Sequence, residues 1–389
     1  MIITLMMVML IVILLILPTG FAKQIYVNSQ GVRAKVLEVD NSAIYSNGII
    51  SQGEQNCTVE IMSGEHKGET AEAINLLAGK MDIDKTFSAG DNAWVILEEH
   101  SDGSIVFANM VDHYRIDKEL LLIALFALLL IFFSGYTGVR TLLSFAFALL
   151  AIWKLIIPLT LRGYSPLLIS FAVGTLITVG TLLMVAGLTK KALAAIGGAV
   201  ACSLITLGLA AAFTRYFGIH GSVMQWSESL IYSGFQKLDL TQVYMAAVYL
   251  ACSGAILDLA IDISAALEEL IVHKPQITRS ELIRSGLNIG RSVVGSQTTT
   301  LLLAYMGSYL SIMMVYMAQA TPFMSILNSK TIAAEILHTF VGCIGLVLVS
   351  PATSLICAFI YKGREKINQE KSVPSIDTRQ RRIFQWLNR

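Results

Sequence analysis

Long apolar segments recur along this chain, and they constrain its fold more than any other feature. A helix needs about 20 apolar residues to cross the hydrocarbon core of a bilayer. Inside that core every backbone N–H and C=O must be hydrogen-bonded within the protein, which favours helices. With 55% hydrophobic and only 14% charged residues, the chain is predicted to be an α-helical polytopic membrane protein with about eight transmembrane helices. The predicted segments are 1–17, 119–133, 139–158, 166–188, 192–213, 243–262, 293–317 and one within 332–361.

The first apolar segment starts at Met1 and ends before Pro18. It lacks the basic flank of a standard signal peptide, whereas residues 20–22 resemble a small-residue cleavage site. Residues 1–22 are therefore predicted to form an N-terminal transmembrane helix or signal anchor, with a cleaved signal peptide as the alternative. Both interpretations place the following residues outside the cell.

The segment 23–117 has a higher charge density and short alternating runs that are broken by Gly, Asn, Asp and Ser. Such alternation indicates strands with one buried face, and the breaks indicate turns. The predicted strands are 31–39, 57–62, 93–97 and 105–111. A segment of this length can form one core. We therefore predict a small exported β-barrel or β-sandwich domain inserted after the first helix.

Basic residues are distributed unevenly between the segments that connect the predicted helices. With the N-terminus inside, most of them lie in predicted cytoplasmic segments, including a cluster after position 361. Because basic residues are retained on the cytoplasmic side, we predict a multi-pass plasma-membrane protein with both termini cytoplasmic and residues 23–117 extracellular. A seven-helix membrane domain then covers 118–361, and a basic cytoplasmic tail covers 362–389. The lipid bilayer is the first expected partner, and a net charge of +1 argues against nucleic acid.

Two carboxylates interrupt the segment 243–262. Asp258 and Asp262 are one helical turn apart and therefore share a face. Ionisable groups at membrane depth cost several kcal/mol and are functional candidates for that reason. The candidates for an ion-coupling or substrate pathway are Asp258, Asp262, Asn288, Arg291, Gln297 and Thr299. The alternative is structural: an ion pair between Asp262 and Arg291, or hydrogen bonds that Gln297 or Thr299 donates to Asp258.

Small residues and one proline accompany these polar groups. Glycines let membrane helices approach closely, and a proline inside a span can bend its helix. The candidates for helix packing or a hinge are Gly254, Gly286, Gly290, Gly295 and Pro351. Ordinary packing and a plain kink are the alternatives to a functional role.

The predicted spans contain no motif of a known intramembrane enzyme. HExxH, GxSG and GxGD are absent, and two acids on one helix cannot face each other across a scissile bond. The five cysteines show no CxxC or disulfide pattern. Glu335 and His338 have a spacing that metal sites in bundles use, but a single pair is more typical of interfacial polarity near the external face. We expect neither an enzyme nor a bound metal or cofactor.

Three runs in the apolar part resemble the YibE/F family of bacterial membrane proteins. They are GAILDLAIDISAALEEL, SGLNIGRSVVGSQTTTLLLAYMGSYL and EILHTFVGCIGLVLVSPATSLICA. The runs KVLEV, VEIMSGEHKGET and GDNAWVILEE resemble the exported N-terminal part of YibE-like members. The resemblance implies a permease-like protein of unestablished substrate, and a second YibE/F-type protein as a partner in a hetero-oligomer.

Two function classes follow from these observations. The first is a membrane permease or transporter subunit that is coupled to a proton or another cation through Asp258, because protonation of a carboxylate is matched to its desolvation. The alternative is a non-transporting assembly or sensor subunit whose exported β-domain binds an envelope component or a partner protein. The size of the segment 23–117 favours the alternative, and the intramembrane acids favour the permease.

Overall fold

The computed structural model describes residues 2–21, 29–100 and 103–362, except for the side chains of Ile2, Ser308 and Lys362. The predicted basic tail lies outside the described residues apart from Lys362, as do residues 22–28. Within the described residues the chain forms two compact units. One covers Gly20–Phe133, and the other combines Met1–Thr19 with Ser134–Arg389.

The first unit contains a five-stranded barrel. Its strands are β1 (Ser29–Asn47), β2 (Ile50–Ile61), β3 (Thr70–Ala78), β4 (Asn92–Glu99) and β5 (Ile105–His113). They close in the order β1-β2-β3-β5-β4, in which β3 and β5 are parallel and the other pairs are antiparallel. This is the strand order of an OB-fold barrel, and the small β-domain takes the barrel form rather than the sandwich. A barrel order assigns no ligand by itself.

Strand β3 was absent from the sequence prediction. Its sequence, TAEAINLLA, is rich in Ala, Glu and Asn, which are depleted in strands. Pairing with β2 from Gln52 to Glu60 overrides that local preference. Strands β1 and β2 are also longer than predicted, and they join through Gly48, whose φ of 64° favours glycine.

The barrel core combines alternating apolar side chains with two buried amides. Val32, Val59 and Val95 are fully buried. Gln55 donates to the Phe87 carbonyl at 3.1 Å, accepts from the Phe87 N–H at 3.0 Å and accepts from Asn75 at 3.0 Å. These bonds attach the connection between β3 and β4 to the barrel, and they offset part of the cost of burying the Gln55 amide.

The helices account for most of the remaining chain. They are α1 (Ile2–Ile16), α2 (Ile116–Ala151), α3 (Ile157–Leu161), α4 (Pro166–Ala186), α5 (Lys190–Tyr216), α6 (Ser227–Tyr232), α7 (Leu240–His273), α8 (Arg279–Ala318), α9 (Phe323–Leu327) and α10 (Lys330–Lys362). A π-helical stretch, Ile152–Ile156, joins α2 to α3. It precedes Pro158, whose ring and missing N–H disturb a regular helix.

Several of these helices are long and apolar enough to cross a membrane. Five in the described residues pass by length and composition, and α8 makes a sixth if its two parts, which meet at a 60° bend after Gly307, form one span. Helix α1 is shorter, with 15 residues. The predicted spans 119–133 and 139–158 lie in one helical run of 46 residues, Ile116–Leu161. Gly135, with φ 56° and ψ −131°, breaks that run.

The core of the second unit lies between α5, α7 and α10, with α4 and α8 packed against them. Close approach depends on small residues. A Cβ added to Gly198 of α5 would overlap Thr353 of α10, and one added to Gly342 of α10 would meet the Cys252 sulfur of α7 at 2.5 Å. Gly and small polar residues hold membrane helices together in this way.

Helix α1 packs into this unit through Met7 and Leu14, which contact a cluster containing Phe147. Two basic side chains near α3 donate hydrogen bonds to carbonyls just beyond the C-terminal end of α1. Lys154 donates to the Leu17 carbonyl at 2.9 Å, and Arg162 donates to the Thr19 carbonyl at 3.1 Å. Basic side chains stabilise the C-terminal end of a helix, where unpaired carbonyls collect.

Candidate functional site

Helix α7 carries the two predicted carboxylates. It begins after Asp239, whose carboxylate caps the helix by accepting from the N–H groups of Thr241 and Gln242, both at 3.0 Å. One face of α7 is fully buried in the bundle at Ile256, Leu259, Ala260, Ile263 and Leu267. The opposite face carries an exposed stripe of Gly254, Asp258 and Asp262, which we call the α7 stripe. The helical period therefore separates the packed face from the acidic one.

Asp258 lies inside every stretch of α7 that is long enough to cross a membrane. The helix runs from Leu240 to His273, and a crossing needs about 20 residues. Every window of that length inside α7 includes Asp258. Asp262 is one turn further on and is included in most windows.

Helix α8 carries a second exposed polar stripe. A capping box starts the helix: the Glu281 N–H donates to the Thr278 hydroxyl at 3.2 Å, and the Thr278 N–H donates to the Glu281 carboxylate at 2.9 Å. The exposed residues Asn288, Arg291, Gly295 and Thr299 follow one face, and we call them the α8 stripe. Gln297 is half-buried beside that stripe, and its Oε1 has no partner among the described residues.

The two stripes lie at similar heights but are not bonded to each other. Among the described side chains, neither Asp258 nor Asp262 has a hydrogen bond or ion pair, and Arg291 forms no ion pair. The alternative pairs considered from the sequence, Asp262 with Arg291 and Asp258 with Gln297 or Thr299, are therefore not formed. The carboxylates of the α7 stripe and the Arg291 guanidinium thus have no ion-pair partner among the described residues, while the Thr299 hydroxyl donates to the Gly295 carbonyl at 3.2 Å.

The energetic cost excludes lipid tails as that partner. A charged side chain near the bilayer centre costs about 2.5–3.5 kcal/mol on insertion scales. Three such charges would approach about 10 kcal/mol, which is comparable with the whole stability of a typical folded protein, about 5–15 kcal/mol. Inside a bilayer, the α7 and α8 stripes would therefore need water or protein beside them rather than lipid tails.

The predicted packing residues divide into two groups. A Cβ added to Gly286 would overlap the Ser354 hydroxyl, and one added to Gly290 would overlap the Ser350 side chain, whereas Gly254 and Gly295 have nothing within 4 Å. Pro351 lies inside α10, next to the Ser350 hydroxyl, which donates to the Gly286 carbonyl at 3.4 Å. Gly286 and Gly290 thus belong to the α8–α10 contact, while the other two glycines belong to the exposed stripes.

A second site, which sequence reasoning did not assemble, is a cavity of about 580 Å³ at the end of the bundle where α7 and α10 begin. Its chemistry comes from Tyr244 of α7, Tyr305 and Tyr309 of α8, and Glu335 and His338 of α10. We call it the tyrosine cavity. The sequence prediction treated Glu335 and His338 as interfacial polarity. No sequence signal joined the three tyrosines, because Tyr244 lies at the start of the predicted span 243–262 whereas Tyr305 and Tyr309 lie in the interior of the predicted span 293–317.

The polar groups of the tyrosine cavity contact one another. Nδ1 of His338 lies 3.8 Å from the Glu335 carboxylate, and both side chains are at most 16% exposed. The imidazole of His338 packs on the Tyr305 ring with centroids 4.2 Å apart. Tyr309 lines the same cavity as Glu335, and the Tyr244 hydroxyl donates to the Ala334 carbonyl at 2.6 Å.

The cavity and the α7 stripe are separate sites. Tyr244 and Asp258 are 14 residues apart on the same helix, which corresponds to about 21 Å along its axis. Among the described residues, no group of three or more His, Cys, Asp or Glu side chains could hold a metal ion. The two sites differ in kind: one is an open polar face and the other an aromatic cavity.

Comparison with known proteins gives one match, and that match is to a protein family. Neither a curated protein nor a solved structure matches this chain. One family model, described as YibE/F-like protein, matches residues 122–363. The match covers most of the helical unit, including both stripes and the tyrosine cavity, and more than half of the chain. The chain therefore belongs to the YibE/F family of membrane proteins.

Proposed function

We propose that this protein is a permease subunit of the bacterial plasma membrane, coupled to a proton or another cation through Asp258. Family membership and the long apolar helices support a membrane location. In the proposed topology the chain crosses the bilayer eight times, with two crossings in the broken run Ile116–Leu161. Both termini are cytoplasmic and the barrel is outside. The broken run is too long for one crossing, since 46 residues extend about 69 Å.

The observation that carries the proposal is the exposed carboxylate of Asp258 within the crossing part of α7. A carboxylate that is reached by water or by a second subunit can bind and release a cation, whereas one that is paired within the bundle cannot do so without breaking its pair. Asp262, one turn away, adds a second negative charge on the same face. Asn288, Arg291, Gln297 and Thr299 supply further polar groups along a pathway.

We further propose that a second YibE/F-type protein covers the two stripes in a hetero-oligomer. The stripes combine charged groups, which lipid cannot accommodate, with Gly254 and Gly295, which have free space above them. Small residues of this kind allow a neighbouring helix to approach closely. Transport would then take place at the interface, with groups from both proteins along the path.

Cation flux in proteoliposomes tests the permease. The wild type would be compared with Asp258→Asn and Asp262→Asn, in which the size is kept and the charge is removed. Glu228→Gln is the matched control, because Glu228 is an exposed acid on α6 outside both sites. We expect Asp258→Asn to abolish the flux and Glu228→Gln to preserve it. Flux that survives Asp258→Asn would refute coupling through this residue.

Photo-crosslinking in the native membrane tests the partner. Benzoylphenylalanine would replace Gly254 or Gly295 in the stripes, and Leu204, an exposed apolar residue of α5, in a control. Cross-links to a second YibE/F-type chain from both glycine positions, with none from Leu204, would support the interface. Purification in mild detergent that repeatedly returns this chain alone would count against a hetero-oligomer.

The assembly or sensor function is the second candidate, and the surface of the barrel favours it. Tyr45, Ile49 and Met81 are 78%, 80% and 69% exposed. Ile49 and Met81 line one shallow groove, and exposed apolar surface of this kind is common at contacts between proteins. Two results together would replace the permease with this candidate. The first is that Ile49→Ser abolishes retention of the full chain on isolated envelopes. The second is that neither the wild type nor any variant shows cation flux.

A further inference from the structure

The tyrosine cavity lies apart from the proposed coupling group and is built within one chain. Three long helices and the loop before α6 form its wall, with Met224 and Gln225 contributed by that loop. It therefore requires no partner subunit to be complete. Its volume of about 580 Å³ falls inside the range of about 300–1,000 Å³ that small-molecule sites occupy.

The charge of the cavity is negative. Glu335 is the single carboxylate among the described residues that line it, and none of those residues is lysine or arginine. His338 is the nearest basic group, at 3.8 Å, and its Nε2 has no hydrogen-bond partner among the described residues. A cationic ligand would approach Glu335 without displacing a lysine or arginine, and His338 is the one basic neighbour among the described residues that line the cavity.

The other residues that line the cavity favour an organic cation over a metal ion. A bare metal ion prefers several converging oxygen ligands, and no suitable group of three ligating side chains occurs in the described part of the chain. The Tyr244 hydroxyl already donates to the Ala334 carbonyl. Tyrosine rings attract ammonium groups through their π faces, and Ala247, Val248 and Ile312 add apolar surface. This combination suits an ammonium group attached to an apolar body.

We propose that the tyrosine cavity binds a small organic ammonium compound, whose charged nitrogen contacts the Glu335 carboxylate and the rings of Tyr305 and Tyr309. The proposal concerns binding to one chain. If the permease function is correct, small organic ammonium compounds would be the class of substrate. Binding itself depends neither on transport nor on the Asp258 pathway.

Thermal stabilisation of the full chain in detergent measures this binding. The probes are 2-phenylethylamine, which is cationic at pH 7, tetraethylammonium, and 2-phenylethanol as the neutral analogue of the first. A ligand that binds the folded state raises the thermal midpoint in a concentration-dependent manner. We expect half-saturation by the amine to require about thirtyfold more ligand in Glu335→Gln, because one partner of a buried charge pair is lost. Glu228→Gln should match the wild type.

Carbodiimide modification of Glu335 in the wild type provides a second measurement that needs no substitution. Peptide mass spectrometry should show that tetraethylammonium, which has no nucleophilic nitrogen, protects Glu335 from dicyclohexylcarbodiimide, whereas 2-phenylethanol does not. Equal stabilisation by the alcohol, an unchanged response in Glu335→Gln, or the lack of stabilisation by both ammonium probes together with the lack of protection by tetraethylammonium would overturn the proposal. Because no ion gradient is involved, failure of the flux experiment leaves this result unaffected, and the converse also holds.

Discussion

The contact between α8 and α10 predicts a difference between two glycines that look alike in the sequence. Gly290→Ala would place a methyl group on the Ser350 side chain, whereas Gly295→Ala would place it in open space. Overpacking of a tight contact costs about 1–3 kcal/mol. In both variants Ala favours the helix over Gly by up to about 1 kcal/mol. We therefore expect Gly290→Ala to lose about 1–2 kcal/mol and Gly295→Ala to be neutral or slightly stabilised.

The thermal midpoint of the full chain in mild detergent, followed by size-exclusion chromatography of a fluorescent fusion, measures the difference. On the scale of a few degrees per kcal/mol that applies to large single domains, Gly290→Ala should melt several degrees below Gly295→Ala. Combining Gly290→Ala with Ser350→Gly removes the opposing side chain and should recover most of the loss. Double variants of contacting residues reveal such coupling.

Equal melting of Gly290→Ala and Gly295→Ala would refute the reasoning, as would a Ser350→Gly change that gave no recovery. In that case the tight approach of α8 to α10 does not contribute to stability in the way its geometry indicates. The comparison does not depend on two-state unfolding, since both variants share one background and one assay.

Three further predictions concern other parts of the chain. In Asn75→Leu the bonds that Asn75 donates to Gln55 and to the Lys85 carbonyl are lost, which should cost about 1–3 kcal/mol and speed hydrogen exchange in residues 79–91. Unchanged exchange would contradict the role of these bonds. Burial raises the pKa of the Cys57 thiol to about 11, so maleimide at pH 8 should label it only after denaturation, as peptide mass spectrometry can show. Lys154→Met removes a cap from the C-terminal end of α1 and should cost about 0.3–1 kcal/mol. The thermal midpoint should fall below that of the control Lys237→Met, which changes an exposed lysine.

The sequence determined the broad architecture because hydrophobic length and alternation are local properties. Continuous apolar segments indicated membrane helices, and short alternating runs between 23 and 117 indicated a β-domain. Both features are present, as five long apolar helices and a five-stranded barrel. The resemblance that the GAILDLAIDISAALEEL run suggested is also confirmed by the family match over residues 122–363.

Strand β3 and the break at Gly135 could not be predicted in the same way. The residues Thr70–Ala78 prefer helix or coil locally, and they become a strand because β2 offers them a ladder of hydrogen bonds. The predicted gap between two spans at 134–138 is instead a helical run with one non-helical residue, Gly135. Pairing partners and backbone angles of this kind depend on residues that are distant in the chain.

The sequence by itself predicted that Asp258 lies in a membrane crossing, because the apolar segment 243–262 contains it and is about 20 residues long. Helical periodicity also determined that Asp258 and Asp262 share a face. Only the tertiary structure decided that this face points away from the packed bundle, and that Tyr244, Tyr305 and Glu335 meet around one cavity. The physical reason is that spacing along one helix sets which residues share a face, whereas the packing of neighbouring helices decides which face is covered.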